Sequence, residues 1–234
     1  MEGGARRAPS CGFAGAVVSE RFDGLGADGA PARLGIMGGT FDPVHLGHLV
    51  CAEMARDAFQ LDGVVFMVAA RPSLKQQRAV SGVDARLDMC RLAIADNPAF
   101  DASALEAQRP GITYTADTLR ALRAHYPANV ELSFIIGADS LETLPSWHDA
   151  AAVAALARFL CVARPGTPDA EARARAARAD GFAVDLLDAP LLDISSSEIR
   201  RRVRAGQSIR YLAPLAVCDY IAARGLYAER ERGC

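Results

Sequence analysis

From residue 33 onward the chain alternates short apolar runs with longer stretches whose apolar residues recur at helical spacing. The apolar runs are typical of strands buried on both faces, and they span residues 34–37, 64–68, 132–136, 159–162 and 182–187. The periodic stretches predict helices over residues 46–59, 83–95, 115–125, 150–157, 168–179 and 195–204. Strands that alternate with helices predict an α/β fold: a doubly wound parallel sheet with helices on both faces and C-terminal helices.

The loop after the first predicted strand carries most of the candidate chemistry. Residues 38–49 read GGTFDPVHLGHL, in which Gly38 and Gly39 let the backbone turn sharply and let an anion approach its N–H groups. His45 and His48 lie at i and i+3 around the start of a helix, so both imidazoles face one side near the positive end of the helix dipole. The complete stretch predicts a polyphosphate site. For an isolated HxxH motif, the alternative interpretation is that the loop residues only form a turn and a helix cap, and that the histidines are ordinary polar residues of an amphipathic helix.

A second candidate site lies near the C-terminus, where residues 194–200 read ISSSEIR. Ser195 and Glu198 have capping-box spacing, so a helix that begins here exposes N–H groups flanked by hydroxyls. Arg200 lies within reach of that turn. A capping box alone is usually structural, and the nearby arginines could form a solvated face. The first loop and this helix start together predict two phosphate sites, each of which holds one end of a triphosphate.

Composition narrows the classes of function. The 234 residues include 26 basic and 28 acidic side chains, a net charge of −2, which provides no general basic field for nucleic acid. The hydrophobic share is 51%, and no apolar run approaches the roughly 20 residues that span a bilayer, so we expect a soluble protein without membrane contact. Six scattered cysteines without a CxxC pair predict free thiols in a reducing cytoplasm.

Residues 1–32 are expected to form a disordered tail, followed by one domain over residues 33–234. The segment is rich in Gly and Ala, lacks sustained periodicity and resembles neither a secretory signal nor a transit peptide. Gly24, Gly26 and Gly29 match GxGxxG, but a dinucleotide fingerprint has to follow a strand and open a helix, so we treat the match as chance. Deletion of residues 1–31 is expected to leave stability and activity almost unchanged.

GGTFDPVHLGHL closely resembles the signature of the nucleotidyltransferase superfamily that carries an HxGH motif on a Rossmann-like fold. The chain most resembles its bacterial nicotinate-nucleotide adenylyltransferases, over residues 34–227. The similarity includes TYTADTL, FIIGADSL, ARPG and ISSSEIR, in which Ser197 replaces the family's threonine and keeps the hydroxyl. Many relatives carry a PPHK-like sequence after the second strand, whereas residues 71–75 here read RPSLK, with the lysine kept and the histidine missing.

The resemblance implies an enzyme that transfers AMP from ATP to nicotinate mononucleotide, giving nicotinate adenine dinucleotide and pyrophosphate in NAD biosynthesis. The 5′-phosphate of a mononucleotide has a second pKa of about 6 and is already a nucleophile at neutral pH. The reaction therefore needs alignment and charge stabilisation rather than a general base. Mg²⁺ is expected to be bound mainly through ATP oxygens, without a metal site built from protein ligands alone.

The two loops and the resemblance together assign site residues. Catalytic roles fall to His45, His48, Lys75 and Arg200. ATP is expected at the same histidines and Arg200, and at Gly38, Gly39, Thr40, Phe41, Gly137, Asp139, Arg164, Ile194, Ser196 and Ser197. The mononucleotide is expected at Lys75, Thr115, Trp147 and His148. The pyridine ring would stack on Trp147, the only tryptophan, for which core packing is the alternative.

Two other functions stay open at this point. Pantetheine-phosphate adenylyltransferase shares the HxGH logic, but its chains are usually shorter and would not need TYTADTL or the Ser146–Trp147 pair. A non-catalytic nucleotide-binding regulator is the second alternative, and the intact His45, His48 and Arg200 argue against it. The expected partners are ATP and the mononucleotide, with neither nucleic acid nor membrane, and a homo-oligomer is compatible with the sequence.

Overall fold

A computed structural model describes residues 18–70, 80–108, 112–163, 169–189 and 192–228. Within these ranges the strands are β1 (Ala32–Gly39), β2 (Gly63–Val68), β3 (Phe100–Ser103), β4 (Val130–Gly137), β5 (Arg158–Ala163) and β6 (Val184–Asp188). The α-helices are α1 (Leu46–Phe59), α2 (Val83–Ala93), α3 (Thr115–His125), α4 (Ala150–Leu156), α5 (Ala170–Ala179), α6 (Ser196–Arg204) and α7 (Leu215–Ala223). A 3₁₀ helix, Ala138–Ser146, follows β4 directly. Across the described ranges no helix has both the length and the apolar character to span a membrane.

The described strands form one parallel sheet in the order β3-β2-β1-β4-β5-β6. The chain builds outward from β1 to β3, returns to place β4 beside β1, and then builds outward in the other direction. This order creates a switch point between the carboxyl ends of β1 and β4, where a crevice opens in folds of this type. The predicted α/β fold with a doubly wound parallel sheet is confirmed.

Apolar side chains cover both faces of the sheet, which explains why its strands are nearly continuous hydrophobic runs. Helices α3, α4 and α5 pack on one face, around side chains such as Leu119 and Phe159. Helices α1, α2, α6 and α7 pack on the other face, around Phe66 and Val217. All six residues of β2 are buried, because this strand is covered from both sides.

Agreement between the predicted and the observed elements is exact for two helices. The helices predicted over residues 46–59 and 115–125 have the bounds of α1 and α3. The other predicted helices and strands differ from the observed ones mainly at their ends, where helix and strand boundaries are least defined by pattern. The pattern does not predict β3, which has only four residues and includes Asp101, and among the predicted C-terminal helices it gives no bounds for α7, whose sequence LAVCDYIAA lacks a polar face.

Residues 18–31 correct the expectation of a disordered tail up to residue 32. Val18 and Phe22 are buried in the hydrophobic core. The Phe22 ring covers the start of β2, where a Cβ at Gly63 would lie 2.2 Å from the Phe22 Cζ. Ser19 Oγ also donates a hydrogen bond to the Asp101 carboxylate at 2.6 Å. Apolar anchors and polar contacts together dock this glycine-rich segment on the domain, while residues 1–17 lie outside the described residues.

Candidate active site

A cleft of about 430 Å³ opens at the carboxyl ends of β1 and β4. This is the switch point of the sheet, where doubly wound folds bind ligands. The lining includes nine of the residues predicted to contact ATP or the mononucleotide: Gly38, Gly39, Thr40, His45, His48, Thr115, Gly137, Trp147 and Ile194. The fold therefore brings the first loop, the start of α3, the end of β4 and the segment before α6 to one cavity.

His45 and His48 form a stacked pair at the start of α1. The N–H of His45, the N-cap residue, donates to Nδ1 of His48 at 3.2 Å. The two rings lie 3.7 Å apart with 28° between their planes. Burial lowers the pKa of His45 to about 4, so its ring is neutral at pH 7. Within the described part of the chain, its buried Nδ1 has no hydrogen-bond partner.

Glycines allow aromatic rings to approach the backbone of this loop. A Cβ at Gly47 would lie 3.1 Å from Nδ1 of His45, and a Cβ at Gly39 would lie 2.8 Å from Cζ of Phe41. Phe41 has a φ of 49°, a left-handed conformation that is uncommon for a bulky residue. Its ring is buried, edge-on to His48 at 5.1 Å. The side chain of Phe41, predicted at the ATP site, therefore supports His48 from within the core.

The start of α6 docks onto the first loop, which brings the two predicted phosphate loops together. The side chain of Ser195 caps the helix. Ser196 Oγ donates to the Pro43 carbonyl at 2.9 Å, and Arg200 Nη1 donates to the Asp42 carbonyl at 2.6 Å. The helix N-terminus is thereby held beside the loop that precedes α1.

Asp42 is a buried carboxylate that the sequence analysis does not assign. It accepts a hydrogen bond from the Tyr227 hydroxyl at 2.7 Å, and its Oδ2 lies 3.9 Å from Arg200 Nη1. Burial, together with the charge of Asp42, raises the pKa of Tyr227, so the hydroxyl remains a donor at neutral pH. Arg200 Nη2 also donates to Ser197 Oγ at 3.1 Å. The segment after α7 therefore helps to fix both the first loop and Arg200.

Trp147 forms an apolar wall of the cleft at the end of the 3₁₀ helix. Its ring lies edge-on to Phe134 and Phe159, with centroid distances of 6.1 and 6.2 Å. Its Nε1 donates to Thr143 Oγ1 at 3.2 Å. The side chain is half-buried: part of it packs against the hydrophobic core, and part of it lines the cleft, where a ring could stack on it.

Other residues around the acceptor end differ in their placement. His148 is exposed and stacks on Tyr114 at 4.1 Å, and Asp139 is exposed at the start of the 3₁₀ helix. Glu106, which the sequence analysis does not identify, lines the cleft and accepts a hydrogen bond from Thr118 Oγ1 at 2.6 Å. It follows β3, the strand that the pattern does not predict, so no local signal places it near α3.

Lys75 and Arg164 lie outside the described residues, and their roles stay predictions. In the part of the chain that the structure describes, no group of three or more His, Cys, Asp or Glu side chains is placed to hold a metal ion. The groups that line the described cleft include imidazoles, hydroxyls, backbone groups, the Glu106 carboxylate, the Cys51 thiol and the Trp147 indole.

Comparisons with known proteins find relatives of nearly the same length. Residues 36–202 match the family described as Cytidylyltransferase-like. A Citrifermentans bemidjiense protein named "Probable nicotinate-nucleotide adenylyltransferase" is 46% identical over 214 residues, covering 84% of this chain and 99% of the relative. One of the same name from Thermomicrobium roseum is 45% identical, covering 86% and 94%. The solved Plasmodium falciparum nicotinic acid mononucleotide adenylyltransferase complexed with NaAD shares the fold, with a TM-score of 0.69 at 19% identity, covering 84% and 97%.

Proposed function

The chain belongs to the cytidylyltransferase-like family, among its nicotinate-nucleotide adenylyltransferases, and on this premise we propose how its cleft carries out the reaction. The enzyme transfers AMP from ATP to nicotinate mononucleotide and releases pyrophosphate. The observation that carries the proposed roles is one cavity with a stacked histidine pair on one side and Trp147 on the other. The triphosphate lies against the histidines, and the pyridine ring lies against the tryptophan.

The reaction requires little from the protein beyond alignment and charge stabilisation. A phosphate oxygen of the mononucleotide attacks the α-phosphorus of ATP, the bond from that phosphorus to its bridging oxygen breaks, and pyrophosphate leaves. The attacking phosphate has a second pKa of about 6, so it is mostly a dianion at pH 7 without a general base. Donors placed around the phosphate oxygens lower the barrier because they stabilise the charge that develops there.

His45 and His48 are proposed to donate to the triphosphate and its transition state. Because the ring of His45 is neutral, it acts as an N–H donor rather than as a cation. Stacking at 3.7 Å and the hydrogen bond between the two residues align both rings before ATP arrives. Preorganised donors need little rearrangement as charge develops, which is the main source of such catalysis. Gly39 and Thr40 shape the loop around the phosphates.

The start of α6 is proposed to bind the β- and γ-phosphates through Ser196, Ser197 and Arg200. The helix N-terminus favours an anion because its first N–H groups lack intrahelical partners. The two hydrogen bonds from Arg200 to Asp42 and Ser197 use two of the five N–H donors of a guanidinium. Lys75 is proposed to add positive charge near the reacting phosphates, and Arg164 is proposed to bind ATP.

A divalent cation serves the reaction, and we propose Mg²⁺ bound mainly through ATP. Mg²⁺ keeps several waters and usually binds through phosphate oxygens and one or two carboxylates. The described cleft fits this mode, because Glu106 is the acidic side chain in its lining and the triphosphate supplies the other oxygens. When bound, the ion neutralises charge on the transferring phosphate.

The acceptor is proposed to lie between Trp147 and the start of α3. The pyridine ring stacks on the tryptophan, Asp139 lies near a ribose, and backbone N–H groups near Thr115 and His148 receive the carboxylate. Thr115 is the first residue of α3, where unpaired N–H groups and the helix dipole favour negative charge. The NH₂ group of a carboxamide is itself a donor and would face one of these backbone N–H donors. Nicotinate mononucleotide is therefore preferred to nicotinamide mononucleotide.

Pyrophosphate release with ATP and a panel of acceptors tests this function. We expect kcat/KM for nicotinate mononucleotide to exceed that for nicotinamide mononucleotide at least about tenfold. A preference for 4′-phosphopantetheine would favour the pantetheine-phosphate alternative, and ATP binding without turnover of any acceptor would favour a regulator. His48→Ala, purified in parallel, is the control. If this variant kept wild-type activity, either a contaminating enzyme would be the source of the activity or the assignment of His48 to the active site would be wrong.

The cytoplasm is the proposed location of the enzyme. The described cysteines, Cys51, Cys90, Cys161 and Cys218, are free thiols. Free thiols are typical of proteins in a reducing compartment. Cys51 lines the cleft, and burial raises its pKa to about 11, so it remains a neutral thiol there.

A further inference from the structure

We propose that Arg86 is a positioning residue for the reaction: its buried guanidinium holds, through backbone carbonyls, two of the loops that line the cleft, including the first loop at the proposed triphosphate site. The inference rests on the proposed placement of the triphosphate against the first loop. Arg86 itself is 1% exposed and does not reach the ligand space, so its effect passes through the backbone it binds.

The guanidinium joins three backbone segments, one after β1, one after β2 and one before α2. Nη1 donates to the carbonyls of Thr40, after β1, and Ala69, after β2, at 2.7 Å each. Nη2 donates to the Ala70 carbonyl at 3.1 Å, and Nε donates to the Ser81 carbonyl, just before α2, at 3.0 Å. Thr40 and Ala69 both line the cleft. A single side chain therefore sets the spacing between the loop of the histidine motif and the loop after β2.

Only an arginine satisfies this arrangement. Burial lowers the pKa of Arg86, and the charge of Asp42 opposes that effect, so the group remains a cation held mainly by carbonyl dipoles. The planar guanidinium presents donors in a fixed fork, whereas a lysine ammonium is a single point with three donors. An apolar side chain of similar volume would leave these four backbone carbonyls without their donors, so the guanidinium is needed to hold this geometry.

The hydrogen bond to Thr40 also acts on the histidine pair. The Thr40 carbonyl belongs to the peptide that precedes Phe41, whose φ of 49° places it in the left-handed region. Fixing that carbonyl fixes the orientation of the peptide and favours the uncommon conformation of Phe41. The Phe41 ring lies under Gly39 and edge-on to His48, so a loop released from Arg86 would shift the imidazole.

The test compares Arg86→Lys with Arg123→Lys at 15 °C. Arg123 is a matched control, because it also donates to backbone carbonyls, those of Leu156 and Val130, but lies outside the cleft lining. For both variants, urea unfolding gives the folded fraction, and pyrophosphate release gives kcat and KM for each substrate. We expect Arg86→Lys to lower kcat/KM for ATP at least tenfold per folded molecule, with a rise in KM for ATP. Arg123→Lys should stay within twofold of the wild type.

A purely structural role would lower the folded fraction and leave KM for ATP unchanged, as in Arg123→Lys, and that result would overturn the proposal. Arg86→Gln provides a second variant, and failure of both Arg86 variants to fold would make the residue a determinant of folding instead. Failure of the wild type to use any mononucleotide would defeat the proposed function separately. In that case, calorimetry with a non-hydrolysable ATP analogue decides: at least tenfold weaker binding by Arg86→Lys supports the positioning role, and equal binding overturns it.

Discussion

Gly47→Ala should separate the stability of α1 from the function of His45. Gly47 is the second residue of α1, and alanine in a helix is more stable than glycine by about 0.5–1 kcal/mol. The added methyl, however, would lie 3.1 Å from Nδ1 of His45 and 3.2 Å from its Cε1. We therefore expect the helix to tolerate the change while the imidazole is displaced.

The size of the displacement follows from the contact distances. The new contacts are shorter than the optimum of about 3.5–4.0 Å by roughly 0.5 Å, so the ring has to move by a similar amount. His45 is 6% exposed and stacked on His48, so its movement also disturbs the second ring. A misplacement of about 1 Å can reduce turnover by about 10²-fold, and half of that displacement suggests about a tenfold loss of kcat. The unfolding free energy should change by less than about 1 kcal/mol, because the helical gain offsets part of the contact strain.

The assay combines pyrophosphate release at saturating substrates with urea unfolding followed by circular dichroism. Gly24→Ala is the control, since a Cβ there would meet nothing within 4 Å, and its kcat should stay within twofold of the wild type. Wild-type turnover in Gly47→Ala would refute the close packing of His45 as a determinant of rate. A loss of stability above about 2 kcal/mol, with kcat per folded molecule unchanged, would show that the contact matters for folding instead.

Four further perturbations test the other assignments. His48→Ala should fold normally and lose on the order of 10²-fold in kcat, because the imidazole serves charge in the transition state; near-wild-type turnover would contradict this role. Trp147→Ala should raise KM for the mononucleotide and leave ATP binding nearly intact. Separate titrations with each substrate test this, and an ATP defect as large as the mononucleotide defect would contradict the placement of the acceptor. Deletion of residues 1–31 should lower the unfolding free energy by at least about 3 kcal/mol, since removal of a buried Phe side chain such as Phe22 alone costs about that much; an unchanged urea midpoint would disprove docking. The pKa of His45 is about 4 in the folded state, compared with an ordinary value of 6.5. Between these two pH values the unfolded chain binds more protons than the folded chain. The free energy of unfolding should therefore fall by about 3 kcal/mol as the pH decreases from 6.5 to 4. Urea unfolding across that range should show a shallower decline for His45→Gln, and parallel curves would contradict the burial effect.

Local pattern is sufficient for the central strands, for α1 and α3, and for the loop that carries the histidines. A central strand of a parallel sheet is buried on both faces, so its sequence is a continuous apolar run that stands out from its neighbours. The residues of GGTFDPVHLGHL are adjacent in the chain, so Gly39 and His45 reach one helix start without any long-range contact. The cap at Ser195 is equally local, because its partner lies three residues away. The identity of Lys75 and Arg164 as ligand-binding residues rests on resemblance alone.

The remaining features depend on contacts between segments that are far apart in the chain, and such contacts leave no periodic signal. In the sequence, Arg86 is one charged residue of an amphipathic helix. Because β1 and β2 are neighbours in the sheet, the carbonyls of the two loops that follow them lie around Arg86, and its side chain holds these loops together. Phe22 stands in a glycine-rich segment whose composition indicates disorder, yet the open face of Gly63 provides the burial that docks it. Tyr227 reaches Asp42 only because α7 packs on the same face of the sheet as α1. In each case a buried group is stable only with a partner that satisfies it, and the topology of the sheet determines which partner that is.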